Sequence, residues 1–505
     1  MRSKGGPTAA DVPWRAWVRP PMAWTPLFIA LLTMQMTLPV FLRRRWADQK
    51  RLLFPLARIP TELTRSSRPG DPLPGLLRSR LFWLAFGVPC AVFLVNGLHY
   101  YLPAVPKLRL MRDVGSVFSG RPWTALNGWP YNVYFEMTGV TYLVPDDMAF
   151  SLWLFWVLRK LAMVAREALG QVNHDAVLRE QGFGGYLFLM ATYVWLARRS
   201  LADVWSKAMH ADPRIDDHQE PMSYRTALIG FAASVLVIVA WARAAGASVG
   251  YSLLGLALYL VSITAIARMV AEGGLFIVWP PMARFNRHLV RAFGPRAMGA
   301  QTYTILSYLG LKLADNSTST MANMLDGYRI ADLAGLEPRK AALMMLTCMV
   351  VAVFASHPAA FHAIYSRSVP ALGRFPGIAF VGFGSDIVYN LTAPARFTAT
   401  DYGHMAGGAA VTFALQVLRQ RHVWWPVHPL AYVAMIGAPY LGDRYGFSIF
   451  LGWAARRMVQ HLGGYRAYAA VGRAALGLVA GQAVILLLWS IVHYFRPING
   501  VPIIE

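Results

Sequence analysis

The sequence predicts an all-α, polytopic integral membrane protein, a bundle of about ten to twelve transmembrane or re-entrant helices, some of them interrupted. Three observations carry that prediction. Hydrophobic residues fill 56% of the 505 positions and charged residues only 14%, against about 25% charged in an ordinary soluble domain. Apolar runs long enough to cross a hydrocarbon core of ~30 Å recur along the chain. The bases sit in short clusters beside those runs: Arg43, Arg44, Arg45, Lys50 and Arg51 follow one, Arg198 and Arg199 another. That is the pattern of cations held on the cytoplasmic side of membrane helices. The lipid bilayer is therefore the first expected partner, and a multi-pass position in the inner (plasma) membrane the expected location.

The same composition excludes other classes. Two cysteines leave no disulfide framework and no Cys-rich zinc or iron–sulfur site. A formal net charge of +23 suits nucleic acid only if it forms a basic patch on a soluble module. Here the bases flank apolar runs, so no nucleic acid is expected. The 17 tryptophans, among them Trp153, Trp156, Trp424 and Trp425, fit aromatic belts at the two membrane interfaces.

Taken in order, residues 22–42 form the first membrane helix. More bases follow it than precede it, so its C-terminal end faces the cytoplasm, and the basic stretch stands where a signal peptide would be cleaved. Residues 43–80 read as a cytoplasmic or interfacial segment. Within it, 52–63 is too short to span and contains Pro55 and Pro60. Further spans are 81–102, 148–165, 183–197, 226–245, 249–267, 341–355, 404–418 and the last membrane helix, 471–493. Shorter or interrupted runs are 132–144, 302–313, 375–391, 430–441 and 447–455. The polar stretch 200–225, with Asp212, Asp216, Asp217 and Glu220, reads as a cytoplasmic loop between Arg199 and Arg225. Arg284, Arg287, Arg291 and Arg296 put the loop after Arg268 on the same side. No soluble domain or internal repeat is evident, and residues 1–505 read as a single polytopic membrane domain.

No Walker A loop, HExxH pair, GxSxG elbow or strand-bound GxGxxG occurs, so no catalytic residue, metal or cofactor is assigned and the reading is that of a non-enzyme. The Gly182–Gly185 cluster lacks the phosphate-loop lysine and reads as a flexible helix start. Ionisable groups at membrane depth are costly, which makes them the candidates for function. Glu136, inside 132–144, is either a proton-coupling carboxyl or an interfacial residue. Arg268 and Glu272 stand four apart, on one helix face, where they can pair. Gly273, Gly274, Pro280 and Pro281 follow directly. This marks either a discontinuous membrane helix or a helix that ends at the surface with Arg268 snorkelling. Asp315 and Asn316, in the polar run 312–320, either line a cavity or lie in an extramembrane loop. Asp386 and Asn390 repeat the theme within 382–391. His99, His357 and His428 sit near helix ends and read as interface anchors. Small residues at 406–410 and at Gly472, Ala475, Gly477, Ala480 and Gly481 allow close helix packing.

Several segments carry a resemblance. They are Arg44, Arg45 and Trp46 leading to 51–57, then 97–103, 150–155, 271–274 and 425–430. Together they resemble a prokaryotic family of uncharacterised polytopic membrane proteins, itself distantly similar to the oligopeptide transporter superfamily. The resemblance implies secondary transport of peptides or metal chelates, and further membrane segments ahead of Arg44, which here lies close to Met1. It carries over no site residue.

Three functions follow as expectations. In a secondary transporter or permease of an unknown small solute, peptide-like or an organic anion, Glu272 or Glu136 takes up the coupling proton. Arg268 attracts an anionic group, and Asp315, Asn316, Asp386 and Asn390 line the pathway. A non-catalytic scaffold or complex subunit, joined to a partner membrane chain or a second copy, is the alternative. The third is a membrane-embedded lipid-phosphate enzyme using Asp216, Asp217 and His218.

Overall fold

The apolar runs are helices in the computed structural model, which describes residues 13–49, 52–65, 74–171, 174–275, 285–314, 319–366, 383–393 and 395–495. Seven helices among the described residues are long and apolar enough to cross a membrane: Trp14–Ala47, Arg80–Tyr101, Asp146–Ala168, Tyr224–Ala244, Val249–Gly273, Pro338–His362 and Tyr440–His493. Several turn large apolar side chains outward. Leu343, Met344, Val351 and Phe354 on one helix, and Ile229 and Leu236 on another, are more than half exposed. Faces of that size are stable only against lipid or another apolar surface. The protein is a polytopic, all-α membrane protein.

In chain order the helices are α1 Trp14–Arg43, α2 Pro55–Thr64, α3 Arg80–Tyr101, α4 Phe135–Leu143, α5 Asp146–Ala168, α6 His174–His210, α7 Tyr224–Ala244 and α8 Val249–Gly273. There follow α9 Phe285–Phe293, α10 Pro295–Met298, α11 Ala300–Ala314, α12 Thr320–Leu333, α13 Pro338–Ser366, α14 Phe383–Thr392, α15 Ala399–Arg421, α16 Pro429–Ile436 and α17 Pro439–Phe495. Local chemistry sets several starts. Ser223 accepts from the Thr226 amide to cap α7, Thr398 and Asp401 form a capping box on α15, and Pro55 opens α2. Two three-residue strands, β1 Met111–Asp113 and β2 Pro130–Asn132, pair antiparallel with Arg112 opposite Tyr131.

The helices group into two compact units. The first comprises Met1–Leu52, Val194–Ala267 and Met282–Phe397. In it, Val40 and Phe41 of α1 pack on Val204 and Ala208 of α6 and on Tyr224 and Ala227 of α7. Met36 meets Met324 and Tyr328 of α12 and Ala342 of α13.

The second unit comprises Leu53–Tyr193, Arg268–Pro281 and Thr398–Glu505. Its central feature is α17, whose helical geometry breaks at Gly464 (φ 64°, ψ −166°). A Cβ on Gly452 would lie 2.6 Å from the Thr138 carbonyl oxygen, and one on Gly139 2.5 Å from that of Ala475. Residues 452 and 475 thus pack on the same turn of α4, whereas a straight helix would hold them about 34 Å apart. The chain reverses at Gly464, and each arm exceeds the about 20 residues a crossing requires. The runs 447–455 and 471–493 are parts of these arms. The second arm packs on α3, where a Cβ on Gly477 or Gly481 would lie 2.3 Å from the carbonyl oxygens of Phe82 and Phe86. The small residues expected to permit close packing do so there.

Two expectations need correction. The stretch 200–225 is not all loop: α6 continues to His210, because Val204 and Ala208 give 200–210 a buried apolar face, and only 211–223 is loop. The Gly182–Gly185 cluster is not a helix start but lies inside α6, where a Cβ on Gly184 would meet the Met405 carbonyl oxygen at 1.9 Å. The run 430–441, expected as short or interrupted, is two elements, α16 and the beginning of α17, divided at Gly437 and Ala438.

Candidate functional site

The second unit holds a largely buried charged centre where α8 ends. At that end Gly274 adopts φ +61°, and its amide donates to the Val270 carbonyl at 2.9 Å. A left-handed residue at this position closes a helix, and glycine takes it without penalty. A Cβ there would also press on Pro55 and Val144, each at 3.0 Å.

One turn earlier, Arg268 Nε donates to Glu272 Oε2 at 2.7 Å. The i,i+4 spacing made this pair readable from sequence. The Arg268 guanidinium also stands 5.1 Å from the Tyr193 ring centroid. The other carboxylate oxygen, Glu272 Oε1, lies 3.1 Å from His428 Nε2. His428 Nδ1 accepts from the Leu430 amide at 3.2 Å. In the neutral ring the proton is therefore on Nε2 and is donated to Glu272. Asp147 lies at the far end of the same network. The His428 amide donates to Ser151 Oγ at 2.8 Å, Ser151 Oγ donates to the Asp147 carbonyl at 2.5 Å, and the Asp147 carboxylate accepts from Arg419 at 2.7 Å.

His428 caps α16, and all eight residues of that short helix are buried. Its other end is met by a second charged group: Arg159, 1% exposed, donates to the Ile436 carbonyl at 2.6 Å and pairs with Asp175. The neighbouring Lys160, 3% exposed, pairs with Asp443 at 2.7 Å. A half-length helix thus has a carboxylate beyond its N-terminus and a guanidinium on its last carbonyl, the charge placement its dipole favours. α8 ends at Gly273, as either reading of this segment expects; Pro280 and Pro281 lie outside the described residues, and the half-length element beside the centre is α16, followed by α17.

The remaining candidates occupy other places. Glu136 is in the first turn of α4; its amide donates to Gln482 Oε1 at 3.1 Å, and its Oε2 is buried without a hydrogen-bond partner. Asp386 and Asn390 are in the first unit, on α14. Arg287 of α9 forks onto Asp386, with Nε to Oδ2 at 2.9 Å, and Asn390 Nδ2 donates to Asp386 Oδ1 at 3.1 Å. That trio ties α14 to α9. Asp315 and Asn316 lie outside the described residues. Asp216 and Asp217 are engaged with backbone: Asp216 accepts from the His218 amide at 2.9 Å and Asp217 from the Tyr224 amide at 3.0 Å. Among the described residues no group of three or more His, Cys, Asp or Glu is arranged to hold a metal ion.

A profile of a family of unknown function, DUF6785, matches residues 4–505, nearly the whole chain. The chain belongs to this family. No curated protein matches it.

Sequence reasoning missed residues that this DUF6785 member buries. Arg159 and Lys160 interrupt the apolar run 148–165, and two adjacent cations inside a span were signal enough. His428 was read as an anchor because its acidic partner is remote in sequence. Arg43, at the end of α1, was read only as part of a basic cluster. In the first unit it pairs with Glu220 at 3.3 Å and Asp332 at 2.7 Å, and Tyr224 donates to the same Glu220 at 3.4 Å. Asp326 of α12, with a buried Oδ1 that makes no hydrogen bond, gave no signal beyond its position in a mixed segment.

Proposed function

We propose that the protein is a secondary transporter, permease-like, of a small peptide-like or organic-anion solute in the inner (plasma) membrane, and not an enzyme. The observation that carries the proposal is the largely buried Arg268–Glu272–His428 centre, set where α8 ends and the half-helix α16 begins. Interrupted helices with charged groups at their ends are the way membrane transporters build ion and substrate sites. Buried charges in such a place are expensive unless they serve function.

In this reading Glu136 or Glu272 takes up the coupling proton. Ionised, Glu272 neutralises Arg268 and accepts the His428 proton. Protonated, it loses its hold on Arg268, which then presents an unpaired guanidinium to an anionic group of the solute. Solute and proton thereby enter together, and rocking of helices about the centre delivers both. Glu136, with an unpartnered oxygen, is the second proton-accepting candidate on the route.

The test is uptake into proteoliposomes loaded with pyranine. Trialanine, other short peptides and small carboxylates are added outside under an inward proton gradient. Solute-dependent internal acidification is expected for the wild type. Glu272→Gln, which keeps the volume and removes the charge, is expected to lose it while eluting as a monodisperse protein. Acidification at the wild-type rate in that variant refutes the assignment.

A further inference from the structure

The second unit carries a cavity of about 520 Å³ between α2, the turn at Gly75–Arg78, the end of α4 and the second arm of α17. Its rim is basic. Arg58, Arg65 and Arg473 face it, against the single carboxylate of Glu62, which lies 3.6 Å from Arg65. Arg58 and Arg473 make no ion pair among the described residues. Its floor is apolar, formed by Leu76, Leu143 and Leu476, which belong to the cluster around Phe82.

The cavity stands at the ends of membrane elements. The apolar part of α3 begins immediately after Arg80, and that of the second α17 arm immediately after Arg473. Both arginines therefore mark the level at which hydrocarbon gives way to headgroups. A concave site at that level, with guanidinium groups above and leucines below, matches one occupant in both its halves. The phosphate takes the arginines, and the first methylenes of the chains take the floor.

We propose that this cavity binds the phosphate group of an anionic phospholipid, such as phosphatidylglycerol. A free phosphate shares the headgroup chemistry, but it has no use for the apolar floor. The proposal is independent of the transport reading and needs only that the chain spans a bilayer.

Native mass spectrometry of the full chain, released from detergent after titration with phosphatidylglycerol or phosphatidylcholine, tests it. Arg58 and Arg473 are exposed, so Arg58→Gln with Arg473→Gln leaves the core intact. The wild type is expected to retain phosphatidylglycerol in preference to phosphatidylcholine. The double variant should bind it about 25-fold more weakly, since each base near an anionic surface contributes roughly fivefold. Arg339→Gln, an exposed arginine on another helix, should bind as the wild type does. Equal retention by the double variant overturns the proposal, as does an equal loss in Arg339→Gln. Displacement of the lipid by excess sodium phosphate would assign the site to free phosphate and overturn it too.

Discussion

Glu272 and His428 stand 3.1 Å apart, Oε1 to Nε2, across 156 positions of sequence. Each also holds a local partner, Arg268 for the carboxylate and the Leu430 amide for the imidazole. The contact therefore links the end of α8 to the start of α16 through groups whose charge can change.

Removing the carboxylate should expose the cost of the buried cation. Glu272→Ala leaves Arg268 largely buried without its counter-charge, which typically costs about 3–5 kcal/mol. Thermal unfolding in detergent should show a large drop for this variant. Arg268→Met combined with Glu272→Leu should recover most of it. A double variant as unstable as Glu272→Ala would show that the pair is not the source of the loss.

His428 has two jobs that substitution separates. His428→Ala loses both the α16 cap and the bond to Glu272, whereas His428→Asn keeps a capping oxygen. Loss of the cap alone should cost about 1 kcal/mol. Asparagine should therefore restore stability but not solute-coupled acidification. Full activity in His428→Asn would remove the imidazole from the coupling route.

Glu220 anchors the loop 211–223 to Arg43, which also holds Asp332. Glu220→Ala should free that loop, and trypsin should then cut after the exposed Arg214 several-fold faster than in the wild type. Unchanged digestion would mean that Asp217, bonded to the Tyr224 amide, suffices to hold it.

Backbone-to-backbone packing leaves no room for a side chain at Gly408, where a Cβ would fall 1.8 Å from the Gln181 carbonyl oxygen. Gly408→Val should abolish monodisperse expression. Gly403→Val, on the same helix at a point with nothing within 4 Å, should be tolerated. Size-exclusion profiles of the two variants compare them directly.

Cys348 is exposed on an outward apolar face of α13. A charged, water-soluble maleimide does not enter hydrocarbon. In a Cys90→Ala background, Cys348 in liposomes should resist a water-soluble maleimide and react fully after unfolding in detergent. Rapid labelling in intact liposomes would place that face in water.

The sequence by itself determined that this is an all-α membrane protein, since hydropathy and the placement of bases depend only on local composition. It also determined the Arg268–Glu272 pair, because four residues on one helix share a face whatever surrounds them. The close packing around Gly477 and Gly481 was legible for the same reason. Tertiary structure decided the rest of the centre. His428 reaches Glu272, and Arg159 reaches the end of α16, only because distant helices fold together. It decided, too, that α17 turns back at Gly464 and that 200–210 is helical, since a single glycine and a polar helical face look like loop until something packs on them. Charge burial is a property of neighbours in space, and periodicity along a chain cannot report it.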